Sequence, residues 1–189
     1  MLAVFSVWKE SRLRAERAGR YVARLMADPE PESVAALAAA GDGDDDHARW
    51  ELRYARRAIG LLVSERDALD DRTSSEVAAA LERALLADPN VAPDRRDMAG
   101  RQMNERLSAY RATLADRGGG VGTSARLART LLLFAGSRAS PETAPVVTEL
   151  VGALVAECNR ALRDAYGEAN LPNDVAPSAV RAKRPETRD

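Results

Sequence analysis

DHARWELRYARRAIGLLVSERDAL, residues 46–69, decides the fold. Wound at about 100° per residue, Trp50, Leu52, Tyr54, Ala55, Ala58, Ile59, Leu61 and Leu62 cover more than half of a helix circumference. A helix that apolar belongs at the centre of a bundle. Asp44, Asp45 and Asp46 put acceptors and negative charge at its start, where unpaired N–H groups and the helix dipole favour both. The narrower polar face carries Arg49, Arg53, Arg56 and Arg57, a guanidinium cluster expected to look outward.

Working outward, Phe5, Trp8, Ala15, Ala18, Val22 and Leu25 recur at helical spacing from Phe5 to Ala27, and Asp28-Pro29 ends that element. Pro31 to Ala40 reads as a short extra helix, with Pro31 at its first position, Glu32 in its first turn and Gly41 as its stop. Beyond the central helix, Thr73-Ser74-Ser75-Glu76 has the form of a capping box opening a helix to about Ala87. Pro93 is expected to start the next helix, to about Arg117. Its narrow stripe of Ala99, Met103, Leu107, Tyr110 and Leu114 predicts a peripheral position or one neighbour. Gly118 to Gly122 reads as a hinge, since no strand precedes it and no Gly-Lys-Ser/Thr follows. Thr123 or Ser124 should cap a short apolar helix containing Leu127, Leu131, Leu132 and Phe134. Ser140-Pro141-Glu142 opens the last, whose stripe of Val147, Leu150, Val151, Leu154, Val155, Cys158, Ala161 and Leu162 ends near Tyr166 and Gly167.

These elements predict an all-α, single-domain bundle of about six helices plus the short extra one over residues 1–167, with an extended or disordered tail over 168–189. At 189 residues and 46% apolar composition the chain can bury a real core, and 4% aromatic content with abundant alanine disfavours β-structure. A net charge of −1 leaves no long-range field toward nucleic acid or an anionic membrane, so attraction must be local. Of the 28 basic residues only Lys9 and Lys183 are lysine. One cysteine forms no internal disulfide, and Met1 to Val7 has no basic n-region and too short an apolar run for an export signal. A cytoplasmic location and no transmembrane segment are the expectations.

Catalytic signals are scarce. His47 and Cys158 are the sole residues of their types, so neither a Cys/His metal set nor a nucleophilic triad can be drawn. Asp42, Asp44 and Asp46 alternate as in the start of a calcium loop, but His47 stands at the turn glycine's position and Arg53 at that of the bidentate glutamate. His47, Glu51 and Glu65 share an edge of the central helix without the paired Glu-x-x-His elements of a di-iron site, and the two glutamates are expected to meet arginine from a neighbouring helix. Cys158 is expected to be an inert core thiol. No cofactor is expected.

Charge segregation is the main anomaly. Asp28, Glu30, Glu32, Asp42, Asp44, Asp45 and Asp46 form a stretch without lysine or arginine, directly after Lys9, Arg12, Arg14, Arg17, Arg20 and Arg24. Such a stretch either folds back on the flanking arginine helices as a solvated network or favours oriented association with a charged partner. The sequence therefore predicts a non-enzymatic interaction or accessory subunit that meets a protein partner, or a second copy of itself, through Arg49, Arg53, Arg56, Arg57, Asp42, Asp44, Asp45 and Trp8. Nucleic-acid binding through the arginine faces is the first alternative, and a metal/carboxylate bundle enzyme the second. Trp8, with Leu2, Phe5 and Val7, also makes an apolar end suited to peripheral membrane contact.

Overall fold

The computed structural model describes residues 2–66, 70–116, 121–137 and 140–167, with side chains from Lys9 onward except Glu10. Its elements are α1 (Leu2–Leu25), α2 (Pro31–Ala40), α3 (Asp45–Arg66), α4 (Asp71–Leu86), α5 (Arg96–Ala115), α6 (Thr123–Phe134) and α7 (Thr143–Tyr166), with a 3-10 turn at Pro93–Arg95 leading into α5. Among the described residues there is no strand, and the architecture is an all-α bundle around one core. The predicted tail (168–189) and most of the predicted glycine hinge lie outside the described residues.

The central position predicted for α3 holds. It packs on every other α-helix, and residues 51–64 are buried without a break. Contact on all sides needs close approach, which Gly60 permits: a Cβ there would stand 2.3 Å from the Leu25 side chain. The Tyr21 hydroxyl of α1 donates to the Gly60 carbonyl at 2.8 Å, so the same crossing satisfies a buried polar group. At the far side α6 and α7 pair extensively, and Leu127, Leu131, Leu132, Val147 and Val151 are all buried as the periodicity required.

Several local expectations are corrected. The N-cap of α4 is Asp70, whose carboxylate accepts from the Thr73 N–H at 2.7 Å, because an aspartate three residues earlier is at least as good a cap as Thr73. Glu76 then turns to Arg14 of α1 at 3.4 Å and makes no capping box. Pro93 begins a 3-10 turn rather than the α-helix, and Gly122 takes the cap position of α6 with no side-chain bond. Helix α5 is not confined to one neighbour: it packs on both α3 and α6. Its polar positions make this possible, since Arg106 is buried beside Met103 and Tyr110.

Candidate functional site

The predicted outward arginine cluster turns inward. Because α3 has neighbours on every side, its polar face has no solvent to reach, and Arg53, Arg56 and Arg57 are buried. Each finds acceptors on another element. Arg53 Nε and Nη2 donate to Asp28 Oδ1 at 2.9 and 2.6 Å, with the guanidinium 4.6 Å above the Trp50 ring. Arg56 donates to the Ala27 and Asp28 carbonyls at 3.1 and 3.3 Å and to Glu157 Oε2 at 3.0 Å, bridging the end of α1 to α7. Arg57 Nη2 donates to Asp88 Oδ2 at 2.7 Å. Arg49 alone of the set stays half-exposed, bonded to Asp46 at 2.6 Å.

The acidic residues divide in the same way. Asp28 serves Arg53, and Asp44 caps α3 by accepting from the N–H groups of Asp46 and His47 at 2.9 and 3.1 Å. Asp42 meets His47 Nδ1 at 2.8 Å. The hydrogen bond to Asp42 raises His47 above its ordinary 6.5, and the same bond lowers Asp42 below 3.8. Asp45 is exposed. The side chain of Trp8, and with it the proposed apolar end, lies outside the described residues.

Glu51 and Glu65 pair with arginine from a neighbouring helix, as the sequence suggested. Arg106 of α5 holds Glu51 through two bonds, Nη2 to Oε1 at 2.6 Å and Nε to Oε2 at 3.1 Å, and its guanidinium lies 4.3 Å over Phe134. Arg111 holds Glu65 at 2.9 and 3.0 Å. Carboxylates committed in this way are poor metal ligands, and no group of three or more potential ligands occurs among the described residues. Cys158 is buried, and burial pushes its thiol up to about 12, which leaves it protonated.

Sequence reasoning missed Asp88 and Arg106. Asp88, just beyond α4 and before Pro89, is 2% exposed and accepts from the Asn90 backbone N–H, the Asn90 side chain and Arg57. Burial works to raise its pKa, but those donors outweigh it and the carboxyl lies below its ordinary value. Burial pulls Arg57 down, with Asp88 opposing. The pair joins residues 31 apart on separate segments, which no local sequence signal announces.

Besides a shallow depression between α1 and α4, two others bear on function. Between α2 and α7 a groove of about 400 Å³ has Ala36, Leu52, Val146 and Leu150 on its walls and Glu30, Glu32, Glu149 and Glu157 around them. Between α4 and α5 a trough of about 290 Å³ runs over α3, with the Arg57–Asp88 pair among its lining residues. No helix among the described residues is long and apolar enough to cross a membrane. Comparison with known protein families, with curated proteins and with solved structures finds no match.

Proposed function

We propose that this chain is a non-enzymatic helical accessory subunit that docks a basic amphipathic helix of a protein partner in the groove between α2 and α7. The observation that carries the reading is the chemistry of that groove. Val146 is 49% exposed beside Leu150 and Ala36, and among the described residues only Glu157 of the surrounding acids has an arginine partner, Arg56. Glu30, Glu32 and Glu149 therefore present unneutralised charge around an apolar floor. A helix with aliphatic residues at i, i+3, i+4 and i+7 and lysine or arginine at its flanks matches both features. The arginine faces of α3 do not serve this role, because Arg53, Arg56 and Arg57 are buried and each is already paired with an internal carboxylate. The exposed acids Asp44 and Asp45 add to the negative field that steers such a partner.

The test is fluorescence anisotropy with a labelled Leu/Lys amphipathic helical peptide and, as control, a Leu/Glu peptide of the same apolar pattern. The Leu/Lys peptide should bind, weaken with salt, and lose roughly tenfold affinity against a Glu30→Lys, Glu32→Lys, Glu149→Lys variant. Equal binding of both peptides, or no loss in the variant, overturns the reading. So does salt-sensitive binding of duplex DNA that falls with Arg20→Ala and Arg24→Ala, which would place the function in nucleic-acid contact.

A further inference from the structure

Helices α4 and α5 each pack on α3 but make almost no contact with one another, and this leaves the trough over the middle of α3. Its walls are mainly aliphatic, with Leu61, Leu81, Leu85, Val91, Met103 and Leu107 beside the polar Tyr54 and Asn104. At about 290 Å³ it lies just below the ~300–1,000 Å³ range of ligand pockets, which suits a small molecule, and Leu86, 58% exposed, stands at its margin. Arg57 and Asp88 are the buried charged residues of the lining. Both oxygens of Asp88 are bonded, Oδ1 to Asn90 and Oδ2 to Arg57. Arg57 is 1% exposed, and its Nε is buried with no acceptor among the described residues. A buried N–H without a partner is costly, and native structures leave few of them.

We propose that this trough binds a small, uncharged, mainly apolar molecule carrying one hydrogen-bond acceptor such as a ketone or ester carbonyl. The aliphatic walls take the apolar body, and the carbonyl oxygen accepts from Arg57. A net charge on the ligand is disfavoured because Arg57 and Asp88 neutralise one another, and the lining residues nearer solvent, Glu82 and Arg96, also carry one charge of each sign. Helix α3 lies beneath both sites, but the trough is walled by α4 and α5 and the groove by α2 and α7 with no lining residue in common, so either proposal can fail without the other.

The experiment uses 2-octanone, octanoate and octylammonium as probes, followed by methyl NMR shifts of Leu61, Leu81 and Met103. The ketone should shift these methyls saturably and bind at least fivefold more tightly than either ion. Gly100 lines the trough, and a Cβ there would meet nothing within 4 Å, so Gly100→Leu has room to fill the space. It should weaken 2-octanone at least tenfold while leaving the melting temperature unchanged or raised, since glycine is a poor residue inside a helix. Shifts elsewhere on the molecule, equal affinity for octylammonium, or unchanged binding in Gly100→Leu overturns the proposal. The double variant Arg57→Met, Asp88→Leu separates the polar contact from the apolar one: 2-octanone should bind more weakly while the methyls still shift, and unchanged affinity counts against the carbonyl contact.

Discussion

Helices α1 and α3 are both rich in arginine, and the bundle treats them in opposite ways. On α1 the Arg12–Glu16 pair is 66% and 55% exposed, and Arg20 and Arg24 are exposed too. On α3 Arg53, Arg56 and Arg57 are buried and answered by Asp28, Glu157 and Asp88. Side-chain chemistry does not distinguish them. What differs is surroundings: α1 packs chiefly on α4 and α7 and keeps an open side, whereas α3 is enclosed. The same residue type is therefore a solvated surface group in one helix and an element of core architecture in the other, with different consequences for stability.

The largest effect expected from that contrast is at Asp88. Asp88→Ala would leave the Arg57 guanidinium buried without its counter-ion and lower stability by about 3–5 kcal/mol in chemical denaturation. The double variant Arg57→Met, Asp88→Leu should recover most of the loss, since well-packed apolar pairs often replace buried ion pairs at little cost; no recovery would show that the pair also fixes the α3–α4 geometry. Glu51→Ala is expected to cost about 1.5–3 kcal/mol by removing two charge-assisted bonds from Arg106. Asp28→Ala should cost about 1 kcal/mol, because Asp28 is largely exposed and Arg53 keeps its stacking on Trp50. On α1, Arg12→Ala should fall within about 0.5 kcal/mol, and a larger loss would break the contrast between the two helices.

The smallest expected effect is a pH slope at the start of α3. His47 is raised in the folded state, so its contribution is fully present below its ordinary 6.5 and is lost as pH rises through the folded value. Asp42 is lowered, so its contribution is present above 3.8 and lost as pH falls through its folded value. Melting temperature should therefore fall slightly as pH rises above 6.5, and Asp42→Asn should flatten that slope. An unchanged slope in the variant would assign it to another group.

Much of the bundle was legible in the chain itself. The bounds of α2 followed from Pro31 and Gly41, and the end of α7 from Gly167, whose φ of 82° suits a glycine. The enclosure of α3 followed from its wide apolar arc. The direction of its arginines did not, because a helical projection shows which residues share a face and not what lies opposite. The α4–α5 trough was equally invisible: it depends on two helices that share a floor with almost no contact between them.

Local periodicity by itself determined that this protein is α-helical, where most helices begin and end, and which of them lies at the centre, because those properties depend on residues within a few turns of one another. Only the tertiary structure decided the fate of the charges. Arg57 and Asp88 are 31 residues apart, Glu51 and Arg106 are 55 apart, and Arg56 and Glu157 are 101 apart. Pairing at those separations follows from how the helices pack, since a buried guanidinium must be met by whatever acceptor the neighbouring helix brings to it.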